Sequence, residues 1–168
     1  MLKTLFERES LILTFSLPEA SGEPIDTADY KQRKNLVLAF LHSRDCEFCQ
    51  RVVRAFKFFA SRYKEENTEV LMILPERLEE AQDLKTELGI PFKVLADEKG
   101  NALQKFIEVP PEEDKPLVAV LVVDRFGALL DQWYSSREKI FPDQQRFLSS
   151  LVQAEIECPE CGIHEWPA

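Results

Sequence analysis

Three apolar runs of strand length constrain this chain more than any other feature: Asn35 to Leu41 (NLVLAFL), Glu69 to Leu74 (EVLMIL) and Pro116 to Asp124 (PLVAVLVVD). A strand with one face in water alternates apolar and polar side chains. A strand that is apolar at nearly every position needs cover on both faces. The runs therefore predict central strands of a buried sheet. They do not predict a membrane span, which needs ~18–20 apolar residues where the longest run here has nine.

The segments between the runs carry helix and turn signals. From Cys46 onward, Val52, Phe56, Phe59, Ala60 and Tyr63 recur at helical spacing, and Arg51, Arg54, Lys57 and Arg62 take the opposite face. PERLEEAQDLKTELG has a Pro75 start, an acidic first turn and a Gly89 stop. PFKVLAD reads as a short strand ending in the turn DEKG, NALQKFIEV as a brief helix or irregular stretch, and VPPEEDKP as a surface loop. Asp124 to Gly127 (DRFG) turns the third run into ALLDQWY and predicts an antiparallel hairpin. A closing helix is predicted from Pro142 and Asp143 to about Glu157, with Phe147, Leu148, Leu151 and Val152 apolar. Strand, helix, strand, helix, hairpin and closing helix is the element order of a thioredoxin-like three-layer α/β/α sandwich with a mixed central sheet. The predicted division is a domain over residues 1–157 and a short tail over 158–168.

Composition narrows the function. At 168 residues a single core can bury roughly 70% of the surface of the unfolded chain, so the fold needs no staple. Twenty-one basic residues against thirty acidic ones give a net charge of −9, which lacks the basic field that supplies nucleic-acid affinity. The first residues, MLKTLFERESLILTF, carry charges at Lys3, Glu7, Arg8 and Glu9 around a five-residue apolar stretch, too short and too acidic for a signal peptide. A cytoplasmic, thiol-reducing address is the expectation, and in such a compartment cysteine pairs point to redox chemistry or metal binding. The four cysteines form two CxxC pairs, Cys46 with Cys49 and Cys158 with Cys161.

Cys46 and Cys49 stand where the first buried run turns into a helix. A sulfur at a helix amino terminus feels the positive end of the backbone dipole, which favours the thiolate, the form that attacks disulfides and peroxides. Cys46 is the predicted nucleophile and Cys49, one turn on, the resolving thiol. Arg44 and Arg51 add positive potential, while Asp45 and Glu47 oppose it within a residue of the sulfur, so a reducing poise is expected. His42 is a candidate for proton transfer, with a hydrogen-bonded surface role as the alternative.

Several segments resemble the peroxiredoxin-like AhpC/TSA (redoxin) group of the thioredoxin superfamily. TFSLPEASGEPIDTADYKQRKNLVLAF resembles its opening, FLHSRDCEFCQ its F-Y-R-G-x-W-C-P-x-C pattern, LGIPFKVLADEKG its lP-F-x-v-L-x-D segment and VAVLVVDRFGALL its strand and DxxG hairpin. The resemblance implies thiol-dependent reduction of a protein disulfide or small peroxide, with a dithiol reductant and no organic cofactor. The chain also departs from the pattern. Asp45 and Glu47 replace the tryptophan and proline around the first cysteine. The P-x-x-x-[TS]-x-x-C signature lacks its proline: counting back from Cys46 gives Ala39, with Ser43 at the hydroxyl position, and counting back from Cys49 gives His42. If Cys49 takes that register, the two thiols exchange roles. The late-strand arginine has no counterpart in DKPLVAV. Pro116 is the candidate for the cis-proline that faces the CxxC in thioredoxin folds. These departures favour dithiol exchange over peroxide reduction.

In the tail, Cys158, Cys161 and His164 supply three of the four ligands of a tetrahedral zinc site. The same cysteines could instead relay electrons to Cys46 and Cys49, or simply pair with each other. A closing helix of ~16 residues at ~1.5 Å each separates the pairs by ~24 Å in one chain, so a relay would run across a homodimer. The competing reading of the whole chain is a non-catalytic thioredoxin-fold binding module, with zinc on its tail.

Overall fold

The computed structural model describes residues 3–110, 114–135 and 140–156. In chain order its elements are β1 (Lys3–Thr4), β2 (Ser16–Pro18), β3 (Pro24–Asp26), a 3-10 helix (Thr27–Tyr30), β4 (Asn35–Leu41), α1 (Glu47–Phe58), α2 (Ala60–Glu65), β5 (Thr68–Leu74), α3 (Leu78–Leu88), β6 (Lys93–Ala96), a second 3-10 helix (Leu103–Lys105), β7 (Ile107–Glu108), β8 (Val118–Val123), β9 (Leu129–Tyr134) and α4 (Gln144–Ile156). The three apolar runs become β4, β5 and β8, the middle of a five-stranded mixed sheet in the order β6-β5-β4-β8-β9. Every residue of β4 and of β8 is buried, as two-sided cover requires.

β4 runs parallel to β5, with Phe40 opposite Ile73, and antiparallel to β8, with Leu41 opposite Val118. β5 and β6 are parallel, and β8 and β9 form the predicted hairpin. At its turn Asp124 Oδ1 accepts from the N–H groups of Phe126 (2.8 Å) and Ala128 (2.9 Å), while Gly127 takes a φ of +89° that a side chain would resist. The chain steps from β4 to β5 to β6 in one direction. Two right-handed crossovers in the same direction place their helices on the same side.

That side holds all four α-helices. Val37, Ala39 and Leu41 of β4 point into a core with Val52, Phe56, Tyr63, Leu84 and Phe147. The alternate residues Leu36, Leu38 and Phe40 point into a second core. This face is covered by the segment carrying Ile12 and Phe15, by Tyr30 and Leu103 of the 3-10 helices, and by Phe106 and Ile107. The rings of Phe15, Phe40 and Phe106 lie 5.7 to 6.3 Å apart between centroids, the range of favourable aromatic pairs.

Two boundaries and one strand pairing differ from the sequence expectation. The long helix after Cys46 breaks at Phe59 into α1 and α2. α3 begins at Leu78, three residues after the expected Pro75. Two residues near the amino terminus, Lys3 and Thr4, pair with Glu108 and Ile107 of β7. The closing helix starts where expected, with Asp143 Oδ1 accepting from the N–H groups of Gln145 (3.0 Å) and Arg146 (3.2 Å). Tyr63 Oη donates to Gln144 Oε1 at 2.7 Å and ties α2 to α4 inside the core. Among the described residues no helix is long and apolar enough to cross a membrane. Cys158, Cys161 and His164, and residues 111–113 of the acidic loop, lie outside the described residues.

Candidate active site

β4 and β5 are parallel, so their carboxyl ends emerge on one edge of the sheet. β8 is antiparallel to β4 and therefore begins on that same edge. The CxxC sits there. Cys46 is the N-cap of α1: its backbone is extended (φ −71°, ψ 111°), and its Sγ accepts the N–H of Cys49 at 3.4 Å, one of the donors a helix start leaves without a backbone partner. This sulfur is half-buried.

Cys49 is enclosed, with 1% of its surface exposed. Its Sγ accepts from the backbone N–H of His42 at 3.3 Å and donates to the carbonyl of Leu117 at 3.2 Å. Burial pushes the Cys49 thiol up from its ordinary value of 9.0 to about 12. The neighbouring Cys46 adds to that rise, and backbone N–H bonds from His42 and Ser43 only partly oppose it. Both thiols are free. The pair is thus asymmetric: one accessible sulfur on a helix cap and one protonated sulfur behind it.

The supporting residues proposed from sequence fall into different roles. His42 touches the pair through its backbone N–H, and its side chain is exposed. Ser43 shapes the turn. Its Oγ accepts from Asp45 N–H at 3.2 Å and donates to Glu76 Oε1 at 3.2 Å, and its carbonyl accepts Cys46 N–H at 3.3 Å. Arg44 corrects the expectation that it adds positive potential at the thiols. Its guanidinium is held by Asp83 and Glu87 of α3, each at 3.0 Å, so two carboxylates offset its charge. Arg51 stacks over the Phe141 ring at 4.6 Å, and Phe141 packs on Phe48 of the CxxC at 5.2 Å.

Pro116 corrects a second expectation. No peptide bond among the described residues is cis, so the residue proposed as a cis-proline is trans, the form that X–Pro bonds favour by about 0.5–1 kcal/mol. The part of the β8 entrance that reaches the pair is the carbonyl of Leu117. Pro116 instead lines, with His42, Phe40, Ile73, Leu103 and Ile107, a cavity of about 250 Å³.

Glu76 is the residue that sequence reading missed. The β4–β5 register sets Phe40 against Ile73, and carrying that offset three residues onward sets Ser43 against Glu76. The signal was the parallel pairing of the two runs, which predicts that the residues just beyond them meet. Among the described residues no cluster of three His, Cys, Asp or Glu side chains could hold a metal ion.

An accessible cysteine capping a helix at the carboxyl edge of this five-stranded sheet, with a second cysteine behind it, defines a thioredoxin-fold protein. Solved structures share the fold. Peroxidoxin BcpB from Mycobacterium tuberculosis matches 90% of this chain and 99% of its own at 16% identity and a TM-score of 0.75. The reduced 2-Cys peroxiredoxin of Plasmodium vivax matches 88% and 81% at 14% identity and a TM-score of 0.73. A Chlorobium tepidum protein described as the thiol:disulfide interchange protein DsbE matches 86% and 98% at 19% identity and a TM-score of 0.68. No curated protein matches the chain. The sequence pattern of the AhpC/TSA family matches residues 10–131, and the chain belongs to that family.

Proposed function

We propose that this AhpC/TSA protein is a thiol oxidoreductase that reduces a disulfide through Cys46 and Cys49. The observation that carries the reading is the asymmetry of the pair, an accessible Cys46 sulfur on the α1 cap backed by a buried, protonated Cys49. In the first step the Cys46 thiolate attacks one sulfur of the substrate disulfide. That S–S bond breaks, and the departing sulfur takes up a proton from solvent. Cys49 then loses its proton and attacks Cys46 Sγ. The Cys46–Cys49 disulfide forms, the second substrate sulfur leaves as a thiol, and two electrons have passed to the substrate. An external dithiol restores the reduced pair.

Disulfide exchange is favoured over peroxide reduction because both flanking arginines are otherwise engaged, Arg44 by Asp83 and Glu87 and Arg51 by the Phe141 ring, which leaves neither devoted to polarising a peroxide oxygen. The test is disulfide reduction, with hydrogen peroxide consumption in parallel, for the wild type, Cys46→Ser and Cys49→Ser. Cys46→Ser is expected to abolish turnover, and Cys49→Ser to stop after one mixed disulfide, visible as a covalent adduct. Wild-type protein inactive in both assays, or turnover indifferent to Cys46→Ser, would return the chain to the binding-module reading.

A further inference from the structure

The turn that presents Cys46 is held on two consecutive residues, Ser43 and Arg44, by the one side chain of Glu76. Five polar groups define that turn, and all are paired. Cys46 N–H donates to Ser43 O, Asp45 N–H to Ser43 Oγ, and Gln50 Nε2 to Arg44 O at 2.8 Å. The remaining two, the Ser43 hydroxyl proton and Arg44 N–H, both go to Glu76, at 3.2 Å on Oε1 and 3.0 Å on Oε2. One carboxylate thus uses both oxygens on two consecutive residues of the loop.

α3 is arranged to permit this. Its first residue is Leu78 and its cap residue Arg77 makes no side-chain cap bond, so Glu76 stands outside the helix, turned toward β4. An acid at the start of a helix ordinarily serves that helix's own free N–H groups. Here it serves the neighbouring turn, while Asp83 and Glu87 further along α3 hold the Arg44 side chain at 3.0 Å each.

We propose that Glu76 is a positioning residue for Cys46, fixing the Ser43–Arg44 turn so that the Cys46 sulfur stays on the α1 cap in line with a substrate sulfur. The inference rests on the reading of Cys46 as the nucleophile. Without the carboxylate, Arg44 N–H has no acceptor and Ser43 loses the partner that orients its Oγ toward Asp45. A nucleophile displaced by a fraction of an ångström loses much of the advantage of a fixed approach.

The experiment compares Glu76→Ala, Glu76→Gln, Ser43→Ala and Ser43→Ala/Glu76→Ala. It measures disulfide-reduction turnover, the rate of Cys46 alkylation by iodoacetamide at pH 7 read by mass spectrometry, and the denaturation midpoint. Glu76→Ala is expected to slow both turnover and alkylation by about tenfold or more, the scale of a lost hydrogen bond to a charged group. Glu76→Gln keeps an acceptor for Arg44 N–H and is expected within about threefold of wild type. The double variant should be no more than about twofold slower than Glu76→Ala, because both residues act through one turn. Wild-type or faster alkylation in Glu76→Ala, even with a lowered midpoint, overturns the proposal, as does a Glu76→Gln variant as slow as Glu76→Ala. If Glu76→Ala does not fold, Glu76→Gln and Ser43→Ala decide, and Ser43→Ala with unchanged alkylation overturns it. Alkylation needs no substrate, so a wild type that fails to reduce disulfides removes the proposed function and leaves the positioning test intact.

Discussion

The proposed division of labour between the two thiols gives a quantitative expectation for their reactivity. With its thiol pushed from 9.0 to about 12, Cys49 holds about a thousandfold less thiolate than an ordinary cysteine throughout the neutral range. At pH 8 roughly one Cys49 in ten thousand is ionised, against about one in ten for the unperturbed group. Alkylation proceeds through the thiolate, and the 1% exposure of Cys49 slows it further. The assay is timed iodoacetamide labelling of the reduced protein between pH 6 and 10, with each cysteine-containing peptide quantified by mass spectrometry. Cys46 should label first at every pH. Cys49 should lag denatured protein by at least about a thousandfold at pH 8, its rate rising about tenfold per pH unit without levelling. The window stops at pH 10 because the same shift costs stability: the unfolded thiol ionises from about pH 9 while the folded one stays protonated until about 12, so the fold weakens across that interval. A Cys49 rate that levels near pH 9, or that matches Cys46, would refute the assignment and make Cys49 the nucleophile.

Two further predictions concern the scaffold. Burial raises the Glu19 carboxyl, but Lys85 at 2.6 Å and the backbone N–H of Ser21 at 2.7 Å outweigh it and hold it down at about 2. Its contribution of about 3 kcal/mol is therefore full above about pH 4.5 and disappears as the pH falls toward 2. Glu19→Gln should flatten urea-denaturation stability across that window, and an acid limb as steep as wild type would contradict the assignment. Tyr63→Phe should cost about 1–3 kcal/mol in urea denaturation, since it leaves the buried Gln144 Oε1 without its donor. A cost within error of zero would show that α2 and α4 do not depend on this bond.

The central strands were legible because full burial leaves a plain mark: seven consecutive residues of β4 without an exposed position can only be an interior strand. Cys46 was legible for the same reason, since it stands a short turn beyond that strand, where the helix starts. The second face of the sheet was not. Lys3 and Thr4 pair with β7 over two exposed residues, too few for any periodicity, and the cover around Phe106 comes from 3-10 turns and loops whose order in space no local pattern encodes. The α3 boundary was misplaced because Pro75 and the acids after it satisfy every local rule for a helix start, whereas Glu76 is drawn off by a turn 32 and 33 residues earlier. Arg44 misled in the same way. A cation two residues before a cysteine carries no sign in the sequence of the two carboxylates that claim it from α3.

The contacts of the Cys49 sulfur have one more implication. By accepting the His42 N–H and donating its S–H to the Leu117 carbonyl, the side chain acts as an extra rung between the strand leaving the sheet and the strand entering it. A disulfide has no proton to give. On the proposed function, a Cys46–Cys49 disulfide would leave the Leu117 carbonyl without this donor, while the backbone rungs from Leu41 and Val118 inward do not involve the sulfur. A change of redox state would then be confined to the rim of the sheet: the amides beside His42 and Leu117 should exchange faster in oxidised protein, and the interior ladder should not register the change.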